Sequence, residues 1–122
     1  MTFRRGPATA LLSGRTRDLP SLPVTEELVH ALGQFSPYDD VVLESPELDR
    51  LALALEERIG ALTAAHAQRL GHTGPRSAWP SWVQEAVASA LSEDDAAQPV
   101  LALARFVAAA RADGEAVAWF GP

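Results

Sequence analysis

Apolar residues recur at steps of three and four along most of the chain after residue 45, and this period predicts α-helices. The clearest run spans residues 45–70. Pro46 occupies its first helical position, where proline is favoured, and Gly71 ends it. We expect this helix to be about 36 Å long and to form the spine of the domain, with Leu55 and Ile59 buried.

Three shorter stretches have the same period. The first begins at Thr25, a good N-cap residue, and ends at Gly33. The second begins at Ser81. The third runs from residue 95 or 98 to residue 113, with Pro99 tolerated only in its first turn. Together with the spine, these stretches predict an all-α fold, a small bundle of three to four helices.

The two ends of the chain lack a sustained period. Residues 1–23 contain three prolines and two glycines, and proline removes an N–H donor and disfavours helix in the residue before it. We expect an extended arm there, with one helical turn at residues 8–12, and a short apolar C-terminal tail docked on the body. Residues 41–43 are β-like, but one tripeptide does not make a sheet. The predicted division is a basic arm, 1–23, and a single helical domain, 24–122, which should fold without the arm.

Composition narrows the chemistry that the chain can perform. Its 122 residues suit one domain, and it contains no Cys and no Lys, which excludes disulfides, thiolate nucleophiles and Schiff-base lysines. The net charge is −6, but residues 1–23 carry four Arg and one Asp, and the rest of the chain is strongly acidic. An acidic body does not suit phosphate backbones, so we do not expect nucleic acid as a partner.

No stretch of the sequence approaches the run of about 20 apolar residues that a membrane-spanning helix needs. The short apolar run after Arg4 and Arg5 is diluted by Pro7 and Thr9, so it does not resemble a secretory leader. We therefore expect a cytoplasmic protein that does not enter a membrane.

Few residues have a pattern that indicates catalysis or metal binding. Glu27 and His30 form a Glu-x-x-His pair, but carboxylate-bridged metal bundles use two such pairs. The acidic clusters at residues 39–44 and 93–95 lack the spacing of a calcium loop. We therefore predict no catalytic residue, cofactor or metal. Two alternatives stay open: a small helical enzyme or metal-binding bundle that uses Glu27, His30 and His66, and a DNA-binding regulator or antitoxin.

The favoured interpretation is a non-enzymatic protein–protein interaction module, a small subunit, adaptor or regulator of a larger assembly, which binds another protein chain or a second copy of itself. Trp and Arg are enriched at binding hot spots. We expect Trp82 to be interior because it lies on a helix, and Trp79 to be partly exposed. The candidate partner-binding residues are Phe3, Arg4, Arg5, Leu11, Leu12, Arg15, Arg17, Trp79, Trp119 and Phe120.

Overall fold

The two ends of the chain pair with each other. In the computed structural model, which describes residues 2–32 and 40–120, strand β1 (Thr2–Gly6) runs antiparallel to strand β4 (Ala116–Trp119). Strand β2 (Ser21–Pro23) pairs with the outer side of β1, and strand β3 (Val41–Leu43) pairs with β4. The four strands form one antiparallel sheet in the order β2-β1-β4-β3. The all-α prediction is therefore wrong, and the fold is mixed α/β.

Five α-helices and one 3₁₀ turn accompany the sheet among the described residues. They are α1 (Ala8–Leu12), α2 (Glu26–Leu32), α3 (Glu47–Arg69), the 3₁₀ turn Arg76–Ala78, α4 (Ser81–Glu93) and α5 (Gln98–Ala112). The four helices predicted from the apolar period are thus confirmed, as is the helical turn at residues 8–12. Thr25 caps α2 as expected, because its hydroxyl accepts a hydrogen bond from the N–H of Leu28 at 3.3 Å. Gly33, the predicted end of that helix, lies outside the described residues.

The main core lies between one face of the sheet and helices α2, α3 and α5. Residues opposite each other in the sheet share a face, so Phe3 and its partner Trp119 both point into this core. Leu55 of α3 is fully buried there, as predicted, whereas Ile59 is only partly buried. The predicted spine therefore packs against the core mainly through its N-terminal half.

The opposite face of the sheet is covered by α1 and the segment that follows it. Leu11 of α1 packs against Ala116 and Ala118 of β4, whose small side chains leave room for a close approach. Gly6 lies beside Ala116 on this face, and a Cβ atom at Gly6 would come within 2.8 Å of the Leu19 side chain. Small residues on this face thus let the segment between β1 and β2 lie against the sheet.

A second, smaller cluster lies apart from the sheet, where the C-terminal end of α3 meets α4. Trp79, Val83 and Val87 pack around Ala67 of α3, with Leu91 at the margin. This cluster holds α4 on α3 and is the base of the surface described below.

The extended arm and apolar tail of the predicted fold are corrected by the sheet. Residues 1–23 supply β1, α1 and β2, and the tail supplies β4, which is buried along its whole length. The prolines stand where a small sheet tolerates them: Pro7 follows β1, Pro20 precedes the edge strand β2, and Pro23 is the last residue of β2. The prolines therefore lie at the ends of strands and do not prevent the sheet from forming.

No helix of residues 2–32 and 40–120 is long and apolar enough to cross a membrane.

Phe3→Ala should strongly destabilise the protein, because the ring is fully buried and stacked on Trp119. Truncating a buried Phe to Ala lowers the free energy of unfolding by about 3–5 kcal/mol, which urea denaturation measures. Leu12→Ala is the matched control, since Leu12 is 70% exposed and its truncation should change stability by no more than about 0.5 kcal/mol. Equal small effects of both variants would contradict the placement of β1.

Deletion of residues 1–23 should abolish cooperative unfolding, contrary to what the arm interpretation predicts. The truncation removes β1, so one edge of β4 loses its partner and Trp119 loses the ring stacked on it. Exposed strand edges and large apolar surfaces promote aggregation. Circular dichroism and thermal melting of the truncated protein test this, and a sharp melting transition close to that of the full chain would show that the sheet is dispensable.

Candidate interaction surface

Phe3 and Trp119 are occupied within the protein itself. Their rings stack with centroids 4.6 Å apart and planes inclined by 10°, and both side chains are fully buried. Leu11 is buried in the same way beneath the opposite face of the sheet. These three apolar candidates therefore stabilise the fold and are inaccessible to a partner.

The first two arginines also bond within the chain. Arg4 donates a hydrogen bond from Nη1 to the carbonyl of Thr16 at 3.0 Å. Arg5 forms ion pairs with Glu115 and, at 3.2 Å, with Asp113. Its guanidinium also lies 5.9 Å from the ring centroid of Phe106, a cation–π distance. The basic character of this segment is thus partly neutralised by the acidic turn between α5 and β4.

The remaining candidates from the ends of the chain are exposed but separate. Leu12 lies at the end of α1, and Phe120 follows β4 with 43% of its surface exposed. Arg15 and Arg17 are exposed in the segment between α1 and β2, where Arg15 donates a hydrogen bond to the hydroxyl of Ser13 at 3.3 Å. No described contact joins these four residues into one surface.

The two neighbouring tryptophans have the opposite placement to the one expected. Trp79 is 7% exposed and packs in the small cluster with Ala67 and Val83, whereas Trp82 is 57% exposed. The helical period explains the difference, because Val83 and Val87 face α3 and Trp82 is turned about 100° from Val83 around the helix. The indole Nε1 of Trp79 is buried without a hydrogen-bond partner in the described part of the chain.

Trp82 contacts His72, which follows the end of α3. The ring of His72 meets its indole edge-on, with centroids 5.5 Å apart, and Leu70, two residues before His72, is 39% exposed. We call these three residues the Trp82 surface. The small cluster holds α4, the helix that carries Trp82, against α3. Gln84 of the same helix donates a hydrogen bond to the carbonyl of Trp79 at 3.1 Å.

His66 and Asp94 form a partly buried pair beneath α4. Their side chains are 2.8 Å apart, between Nε2 and Oδ2. Asp94 also accepts a hydrogen bond at Oδ1 from the N–H of Ala96 at 2.9 Å, and its carbonyl accepts one from the N–H of Gln98. The pair therefore ties α3 to the turn that joins α4 to α5. These hydrogen bonds explain the positions of both His66 and Asp94 without a bound substrate.

The other residues considered for metal or enzyme chemistry are dispersed. Glu27 and His30 are exposed on α2, and His66 is bonded to Asp94. Within residues 2–32 and 40–120, no three His, Cys, Asp or Glu side chains are grouped closely enough to hold a metal ion. The cluster at residues 39–44 lies partly outside the described residues, because Asp39 is not described.

A groove of about 620 Å³ lies where α3 begins and α5 ends. Asp49 lines it and is engaged twice, by Arg111 at 2.9 Å and by the hydroxyl of Ser45 at 3.3 Å. Glu115, which also lines it, is paired with Arg5. These polar side chains bond chiefly to one another, and the groove has no further feature that indicates a ligand.

Asp94→Asn should lower stability at neutral pH by an amount that shrinks in acid. Hydrogen bonding to His66, and then to the N–H of Ala96, holds the pKa of Asp94 below its ordinary value. A carboxyl with a lowered folded-state pKa contributes stability above about pH 4, and the contribution is lost as the pH falls through that lower value. Melting temperatures of both proteins between pH 7 and pH 3 measure it, with the exposed neighbour Asp95→Asn as control. A difference independent of pH would contradict the assignment.

Comparisons of the chain with protein-family models, with curated protein sequences and with solved structures found no match.

Proposed function

We propose that the protein is a non-enzymatic protein–protein interaction module, a small subunit, adaptor or regulator, that binds its partner through the Trp82 surface. The observation that carries this proposal is the exposure of Trp82 on an ordered helix, in edge-on contact with His72. Tryptophan is among the residues most enriched at interface hot spots.

The way α4 is held supports this function. Val83 and Val87, one and five residues after Trp82, are buried where α4 packs on α3. The backbone that carries the indole is therefore already ordered, which reduces the conformational entropy lost when a partner covers it. In this proposal the Trp82 surface binds the partner, in place of Trp79 and the apolar residues at the chain ends that the sequence suggested.

The alternatives gain no specific support from the described contacts. An enzyme that used Glu27, His30 and His66 would need these side chains around one substrate, whereas His66 is engaged by Asp94. A DNA-binding regulator that used α4 and α5 would bring the exposed carboxylates of Glu85, Glu93 and Asp95 towards the phosphates, which repel them. We therefore propose the interaction module alone.

Trp82→Ala should abolish partner capture without unfolding the protein. Loss of a hot-spot side chain costs at least about 2 kcal/mol of binding free energy, about 30-fold in Kd. Tagged full-length protein is used to capture partners from the cells that make it, and the light scattering of purified protein reports self-association. Circular dichroism and melting confirm that the variant is folded.

Leu53→Ala serves as the matched control, because it also truncates a large exposed apolar side chain but in the N-terminal half of α3. Capture that is lost in Trp82→Ala and retained in Leu53→Ala supports the proposal. The proposal fails if both variants retain the same partners in the same yield as the unaltered chain.

A further inference from the structure

The Trp82 surface lies in a stretch of the chain that has no acidic residue. Residues 58–84 contain three Arg and two His but no Asp or Glu, in a protein whose net charge is −6. The stretch comprises most of α3, the 3₁₀ turn and the first turn of α4. Positive charge is thus concentrated where the apolar side chain of Trp82 is exposed.

Two arginines of this stretch belong to the same end of the molecule as Trp82. Arg69 is the last residue of α3 and directly precedes Leu70. Arg76 is in the 3₁₀ turn, and its carbonyl accepts a hydrogen bond at 3.4 Å from the side chain of Gln84, two residues after Trp82. We call Arg69, Leu70, His72, Arg76 and Trp82 together the basic aromatic surface.

The charges of Arg69 and Arg76 are not neutralised by any carboxylate of residues 2–32 and 40–120. Both side chains are exposed, and in the part of the chain that the structure describes neither forms an ion pair or a side-chain hydrogen bond. Arg5 and Arg111, by contrast, are paired with carboxylates. A helix C-terminus favours cations and accounts for Arg69, but Arg76 lies outside α3, so the helix dipole does not explain it.

A groove of about 390 Å³ adjoins Arg76 and runs along α3. Ile59, Gly60 and Trp79 are among its lining residues, so it offers an apolar recess next to a cation. Nearby carboxylates bound the surface: Glu56 also lines the groove, and Glu85 lies one helical turn after Trp82. The positive charges of Arg69 and Arg76 are therefore limited to the end of the molecule that carries Trp82.

We infer that the basic aromatic surface binds an acidic segment of another protein, one in which carboxylates flank an aliphatic or aromatic side chain. This inference rests on the proposed function and names the chemistry of the partner. The carboxylates pair with Arg69 and Arg76, and the apolar side chain packs on Trp82 or enters the adjoining groove. Complementary charge accelerates association and makes it sensitive to salt, while the apolar contact slows dissociation.

A peptide selection tests this inference on the full chain. A displayed library of random peptides is selected on the immobilised protein, and the dissociation constants of the selected peptides are then measured. We expect selected peptides to be enriched in Asp and Glu on either side of an apolar residue. Their affinity should fall as salt is raised from about 50 mM to about 300 mM, because screening shortens the reach of the charges. Failure to select peptides, or selection of peptides without acidic enrichment, would overturn the inference.

Charge-reversal variants locate the binding site. The double variant Arg69→Glu with Arg76→Glu should weaken the acidic peptides at least tenfold, whereas Glu85→Gln should bind them no more weakly than the unaltered chain. Arg50→Glu with Arg105→Glu is the matched control, because it makes the same change of charge at exposed positions of α3 and α5 and should leave binding unchanged. Equal losses in the two double variants would show only a general effect of net charge and would overturn the inference.

Further outcomes separate this inference from the proposed function. If the selected peptides are not acidic but are lost in Trp82→Ala, the inference fails and the interaction module stands. If acidic peptides bind but Trp82→Ala has no effect on them or on partner capture, the proposed function fails in its assignment of Trp82. Light scattering that shows association of copies abolished by Arg69→Glu with Arg76→Glu, or tighter binding of a labelled oligothymidylate than of the acidic peptides, would replace the partner inferred here.

Discussion

The pairing of β1 with β4 is the contact on which the rest of the structure depends. It joins Phe3 to Trp119 across almost the whole chain, and the stacked rings form the part of the core that α2, α3 and α5 cover. Closing so long a loop costs conformational entropy, which burial of β4 on both faces and pairing along both its edges offset. The termini of this protein are therefore central to its stability, and the helices are arranged around them.

The helices could be predicted from the sequence because their signals are local, whereas the sheet could not. A helix shows its apolar period and its caps within one stretch, as at Thr25 and along residues 45–70. The strands have three to five residues each, too few to establish an alternation, and β4 is apolar at every position because both its faces are covered. In β1, Arg4 and Arg5 suggested a solvated arm. In the fold, Arg5 lies at the margin of the core, where Glu115 and Asp113 neutralise it.

The candidate surface was partly readable from the sequence. The stripe of Val83 and Val87 fixes which side of α4 is buried. Trp82 does not belong to that stripe, so the helical period itself contradicts the prediction that Trp82 is interior. The burial of Trp79 does not follow from the helical period, because it depends on the 3₁₀ turn that lays the indole against Ala67, 12 residues earlier in the chain. The absence of acidic residues from 58–84 is likewise visible in the sequence. The contact of His72 with Trp82 and the bond from Gln84 to the carbonyl of Arg76 are properties of the fold alone.

The Trp82 surface and the sheet are held in place by different apolar clusters. Trp82 is carried by α4, which packs on α3 through the small cluster around Ala67, while the sheet is held by the main core. The bond between His66 and Asp94 adds a polar tie from α3 to the turn after α4. Opening α4 exposes less apolar area than opening the sheet, so the two regions should differ in local stability, with the sheet the more resistant.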